Sequence, residues 1–148
     1  MTYHFRSAEP SDAIACAQII QDWWAETPWM TSLDDLEPMA ESWRNLFATE
    51  LGWIAEKANS VCGFCVRTDD NITGLYVAQG ARNSGVGKRL LDLAKADRAW
   101  ITVWAYELNT QARRFYRREG LVEVSREMER YEDGVCLMDV EHRWTRPA

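Results

Sequence analysis

Apolar residues recur at helical spacing near the start of the chain. Ala13, Cys16, Ala17, Ile20 and Trp24 fall three or four positions apart, which gathers them on one helical face. Ser11 or Asp12 stands where a capping oxygen is expected, and Thr27-Pro28 ends the run. Leu36, Met39, Ala40, Trp43 and Phe47 repeat the spacing. Pro38 fits only in a first turn, so this second helix is expected to begin near Asp35.

The pattern then shortens to strand-like segments. Gly52 to Glu56, Val61 to Arg67 and Ile72 to Val77 are separated by turns at Asn59-Ser60 and Asp69-Asp70-Asn71, which predicts an antiparallel meander. Val86, Leu90, Leu93 and Ala94 predict a helix running to about Asp97. Trp100 to Tyr106 reads as a strand with alternating faces. Asn109 or Thr110 opens a last helix with Ala112, Phe115 and Tyr116 on one face, stopped by Gly120. Leu121 to Met128 and Val135 to His142 close the chain as paired strands around Asp133-Gly134. With a short strand at residues 3–7, the order is strand, two helices, three strands, helix, strand, helix, two strands. This predicts an α+β fold, a mixed sheet of seven strands partly covered by four helices. No repeat or linker interrupts it, so residues 1–148 are expected to form a single domain.

Composition narrows the function. The 148 residues are 47% hydrophobic, enough for one core, and 27% charged, too few for global disorder. A net charge of −6 argues against nucleic acid as a partner, because phosphate neutralisation drives such binding. A small cationic or neutral substrate is easier to accept. No apolar run approaches the roughly 20 residues that span a bilayer. Met1 to Pro10 is polar and lacks a signal-peptide core, so no membrane association and a cytoplasmic location are expected. Cys62-Gly63-Phe64-Cys65 is formally a CxxC. No second pair or nearby histidine completes a zinc site, and residues three apart on a strand face opposite sides. A structural role, with no metal, is the expectation.

The chemistry concentrates at Ala78 to Lys88, where a strand passes through a glycine-bearing loop into a helix. Free N–H groups and the helix dipole favour an anionic phosphate there. Two phosphate motifs fail. A Walker loop needs lysine where Val86 stands, and the alternative register puts Arg82 at the first glycine. A dinucleotide fingerprint needs a further glycine where Leu90 stands.

What the loop does carry is Arg-x-x-Gly-x-Gly, at Arg82, Gly85 and Gly87, preceded by Leu75-Tyr76-Val77 and followed by Lys88-Arg89-Leu90-Leu91. Further on comes Asn109-x-x-Ala112-x-x-Phe115-Tyr116-x-x-x-Gly120. Together these resemble the GCN5-related N-acetyltransferase (GNAT) family over residues 61–121, and the element order extends the likeness to nearly the whole chain. The resemblance implies an acyl-CoA N-acyltransferase fold and acetyl-CoA as cosubstrate. Amides of Arg82, Asn83, Ser84, Gly85, Val86, Gly87 and Lys88 would hold the pyrophosphate. The backbones of Leu75, Tyr76 and Val77 would pair with the pantetheine arm, and the strands holding Val77 and Trp104 would splay to admit it. Asn109 would hydrogen-bond the arm, with Ala112 beside it. Tyr116 would sit near the sulfur and protonate the departing thiolate. The acceptor would be an amine of a small molecule or peptide, and a homodimer stays open.

The sequence departs from the family at three places. Asn83 stands where glycine is frequent, though asparagine tolerates positive φ. Ser84 replaces a frequent basic residue. The fourth strand lacks the usual carboxylate: Asn71 is nearest, with Asp69 and Asp70 in the turn before it. Glu107 is a candidate base at a strand end. Arg113, Arg114, Arg117 and Arg118 read either as a solvated face or as contacts to the CoA 3′-phosphate. Trp23, Trp24, Trp29 and Met30 join the first two helices; Trp29, beside Pro28, is the best pocket candidate among them. His4 and His142 receive no role. A non-catalytic acyl-CoA sensor and a structural domain with a vestigial loop remain the rivals.

Overall fold

The elements form in the expected order. The computed structural model describes residues 2–148. It contains β1 (His4–Ser7), α1 (Ala13–Ala25), α2 (Leu36–Thr49), β2 (Leu51–Lys57), β3 (Ser60–Thr68), β4 (Asn71–Val77), α3 (Val86–Lys95), β5 (Trp100–Tyr106), α4 (Thr110–Arg118), β6 (Val122–Arg130) and β7 (Cys136–Thr145). The strands make one seven-stranded sheet in the order β1-β2-β3-β4-β5-β7-β6. Each neighbouring pair is antiparallel except β4 and β5. Those two are joined through α3, because a parallel pair needs a crossover.

Alternation along the strands builds a core on each face. Ile54, Phe64 and Val66 pack beneath α1 and α2 with Ala13, Cys16, Ile20 and Phe47. Ala55, Cys65, Ile72, Ile101 and Val103 point the other way, against Val86, Leu90 and Leu91 of α3 and Tyr116 of α4. Three details correct the sequence reading. Trp24 is 38% exposed and Ile19 is buried instead; Trp24 lies in the last turn of α1, where its indole N–H donates to the Thr31 carbonyl at 2.7 Å. On α3, Leu91 and not Leu93 completes the buried face. The register between β2 and β3 shifts between Ala55 and Glu56, whose partners are Gly63 and Val61. Cys62 is therefore the extra residue of a bulge, which re-aims a side chain. Cys62 and Cys65 consequently pack against the same cluster rather than facing opposite sides. No group of three or more His, Cys, Asp or Glu residues is placed to hold a metal among the described residues.

Candidate active site

β4 and β5 begin side by side and then part. Their pairing covers only Asn71 with Thr102 and Ile72 with Val103. Beyond this a cleft of about 540 Å³ opens between Thr73–Val77 and Trp104–Tyr106. One end of it is walled by Arg82, Asn83, Gly85, Gly87 and Lys88, and one side by Asn109, Ala112, Phe115 and Tyr116 of α4.

The backbone of β4 offers one edge to this cleft. The Ala78 N–H donates to the Cys62 carbonyl at 2.8 Å. Alternation in an antiparallel pair then turns the N–H and C=O groups of Leu75 and Val77 away from β3 and toward the cleft. The same alternation turns those of Tyr76 toward β3, so its backbone does not share the open edge. Tyr76 contributes its side chain instead, stacked on Phe64 at 5.6 Å and edge-on to Trp23 at 5.8 Å. Burial pushes its phenol up to about 12.

The loop is shaped by backbone conformations that few residues accept. Asn83 has φ 61° and Gly85 φ 87°; asparagine and glycine tolerate this left-handed region best. The first bond of α3 runs from the Arg89 N–H to the Gly85 carbonyl at 3.0 Å. The N–H groups of Val86, Gly87 and Lys88 therefore lack partners within the helix and point out of its start. A Cβ on Gly87 would meet the Phe115 ring at 3.4 Å and Val77 at 3.7 Å, so a larger side chain here would grow into the cleft wall. The Arg82 side chain serves the protein itself: Nε donates to the Val77 carbonyl at 3.0 Å, and the guanidinium pairs with Glu26 at 2.6 Å. The Ser84 hydroxyl donates to the Ala81 carbonyl. Lys88 leans on Glu119 at 3.2 Å and Asp92 at 3.3 Å.

α4 supplies the opposite wall. Asn109 caps it, its Oδ1 accepting the Ala112 N–H at 3.2 Å. Tyr116 is 5% exposed and packs between Phe115 and His142, with ring centroids at 5.4 and 5.6 Å. Burial raises its phenol pKa further above the ordinary value, so the hydroxyl carries its proton throughout the neutral range. His142 is buried, and neither ring nitrogen has a hydrogen-bond partner.

Other candidates divide by position. Arg114 and Arg118 line the cleft. Arg113 instead pairs with Glu123 at 3.2 Å. Glu107 is held by Arg126. Asn71, Asp69 and Asp70 lie at the closed end of the strand pair, around a separate cavity with Trp100 and Arg143. Trp23 lines the cleft, whereas Trp29 stands behind it, 6.0 Å from Trp23 and 6.0 Å from Tyr106. The sequence did not single out Trp23: it stands three residues from Ile20 and seven from Cys16, so its spacing alone reads as part of the buried face. Trp104 and Tyr106 were legible only as one side of an alternating strand.

The family model described as an acetyltransferase (GNAT) domain matches residues 48–123. The chain belongs to the GNAT acetyltransferase family. The match runs from the end of α2 to the start of β6 and so contains both motifs. No curated protein sequence matches the chain. Among solved structures, the GNAT domain resembles apo YjaB from Escherichia coli, with TM-score 0.78, 19% identity, and 97% of this chain and 98% of that one covered. A GCN5-related N-acetyltransferase from Rhodopseudomonas palustris is 25% identical with TM-score 0.72, covering 99% and 97%. The putative acetyltransferase yncA from Salmonella typhimurium, solved with acetyl-CoA, is 14% identical with TM-score 0.76, covering 100% and 96%. These likenesses extend the GNAT fold to the whole sheet. No helix among the described residues is long and apolar enough to cross a membrane.

Proposed function

We propose that residues 1–148 act as one N-acetyltransferase domain that moves the acetyl group of acetyl-CoA directly to a primary amine of a small molecule or peptide. The observation that carries this reading is the cleft itself. It joins an N–H-rich helix start, an unpaired strand edge and a buried, protonated phenol in one channel. Each part suits one part of the substrate. The outward amides of Val86, Gly87 and Lys88 suit a diphosphate. The edge of Leu75 and the Val77 N–H, which β5 leaves unpaired, suits the amides of a pantetheine arm, which can add to it as a strand would.

The chemistry needs no covalent enzyme intermediate. The neutral amine attacks the thioester carbonyl, and the Val77 N–H stabilises the oxyanion that forms. The C–S bond breaks as Tyr116 donates its proton to sulfur. The phenolate recovers a proton, through water, from the nitrogen that has formed the new C–N bond.

The test is CoA release from acetyl-CoA across polyamines, amino acids, aminoglycosides and N-terminal peptides. Turnover with any of them supports the enzyme. CoA binding without turnover on any amine supports the sensor reading. Absence of thermal stabilisation by CoA supports a vestigial loop.

A further inference from the structure

We infer that Asp139 is the base that takes the proton from the acceptor's ammonium group, acting on the sheet face opposite Tyr116, and that the acceptor is a cationic amine. This rests on the acetyltransferase reading above. The cleft passes through the sheet, so its two sides carry different groups. Tyr116 and Phe115 lie on the α3/α4 side, while Trp23 and Tyr106 lie on the α1/α2 side. A thioester arm that enters past α3 leaves the α1/α2 side for the amine.

Asp139 is one strand away on that side. Tyr106 of β5 and Asp139 of β7 are directly paired, and residues opposite each other in an antiparallel pair share a face about 5 Å apart. Strand alternation sends Val140 and His142 the other way, His142 onto Tyr116. The groups bearing on Asp139 are Tyr106 of β5, Glu127 and Glu129 of β6, and Tyr131 of the β6–β7 turn, whose hydroxyl bonds that of Tyr106. None of these is a cation. Its carboxylate accepts the Val140 N–H at 3.2 Å. Burial, with the charges of Glu129 and Glu127, lifts it to about 6.

A half-buried carboxylate among other acids is costly unless a cation joins it. An ammonium group against Trp23 and Tyr106 of the cleft wall would be that cation, since ring faces also attract it. The other carboxylates are less suited. Glu107 is already paired with Arg126, and Asp69 and Asp70 stand at the closed end. The step balances: R-NH₃⁺ and the Asp139 carboxylate give R-NH₂ and the carboxylic acid. The amine then attacks the thioester, and Asp139 returns its proton to solvent.

The experiment compares the full chain with Asp139→Asn. Acetyl-CoA is the donor, and spermidine, lysine amide and an alanine-starting tripeptide are the acceptors, followed from about pH 5 to about 9.5. The parent's kcat/KM is expected to fall on the acid side with a midpoint near 6. D139N should lose about 10²-fold near neutral pH. That loss should shrink to about tenfold or less at the alkaline end, where free amine is supplied by solvent. Asp139→Glu should recover part of the rate, and CoA-induced thermal stabilisation should be unchanged in both variants. An active parent whose profile D139N leaves intact, or a loss equal at every pH, overturns the base. A parent that releases no CoA with any of the acceptors overturns the acetyltransferase reading itself, and the base with it.

Discussion

The two ends of the β4–β5 pair begin from the same backbone geometry and finish differently. Each borders a cavity of about 540 Å³. At the closed end the strands are braced. The Thr102 N–H donates to the Asp70 carbonyl at 2.8 Å, the Thr102 hydroxyl bonds Asn71 at 3.2 Å, and Arg98 pairs with Asp70 at 2.9 Å. Below, Arg67 reaches the Ala94 carbonyl and Asp97. Asp70, Asn71 and Thr102 there are already engaged by one another and by Arg98. At the open end β5 leaves the β4 edge unpaired, with only the Val77 carbonyl taken by Arg82, α3 has N–H groups without helical partners, and a tyrosine hydroxyl stands in the wall. The polar groups that brace the closed end are spent on the fold and have little to offer a ligand. A cavity whose backbone groups are unspent gains by binding, because unpaired amides are costly to bury.

The sharpest way to break this contrast is Gly87→Val. The new side chain would extend past its contacts with Phe115 and Val77 into the wall of the cleft, where Gly87 lies. CoA at about 100 times its Kd should stabilise the parent by about 2.7 kcal/mol. Thermal unfolding of the variant should show that shift abolished with the ligand-free transition little changed. An unchanged shift would remove the pyrophosphate role from this loop.

Tyr116→Phe asks whether the open end is catalytic or only a binding groove. The ring and its packing on Phe115 and His142 remain, while the proton donor goes. The turnover number should fall by about 10², the low end for general acid catalysis because a thiolate leaves readily. CoA affinity should hold. Turnover within about threefold of the parent would return Tyr116 to packing and favour a sensor.

Trp23→Ala separates the two sides of the same cleft. It removes the indole that meets Tyr76 and Trp29 and leaves the α3 loop untouched. The acceptor KM should rise by about tenfold, about 1.4 kcal/mol, with the CoA shift preserved. A lost CoA shift would show that the aromatic wall belongs to the donor site.

Asp70→Asn is expected to do least. It loses the pair with Arg98, whose side chains are each about a third exposed. Such pairs contribute about 0–1 kcal/mol. Turnover should stay within about threefold. A large rate loss with unaltered stability would move the acid–base chemistry to the closed end.

Much of this was legible in the sequence, and for specific reasons. Helical and strand periods report which side of an element is buried, so α1, α2 and the meander followed from spacing alone. The glycine loop and the Asn109 cap were legible because backbone demands restrict residue choice: Gly85 takes a conformation that side chains resist, and Asn109 must present an acceptor to Ala112. The bulge at Cys62 was not legible. Nothing in Val61-Cys62-Gly63 announces an extra residue, and one such residue reverses the face that follows. Nor was the pairing of Glu107 with Arg126, since their approach depends on β6 lying across β7 from the end of β5.

The sequence by itself thus determined the elements, their order and the two motifs, because those are set by local backbone preference and by which side chains must leave water. Tertiary structure alone decided that β4 and β5 pair for two residues and then separate, that Trp23 rather than Trp29 lines the gap, and that Asp139 lies across from Tyr106. These are contacts between segments distant in the chain. They depend on register and crossing, which no local pattern of hydrophobic and polar positions encodes.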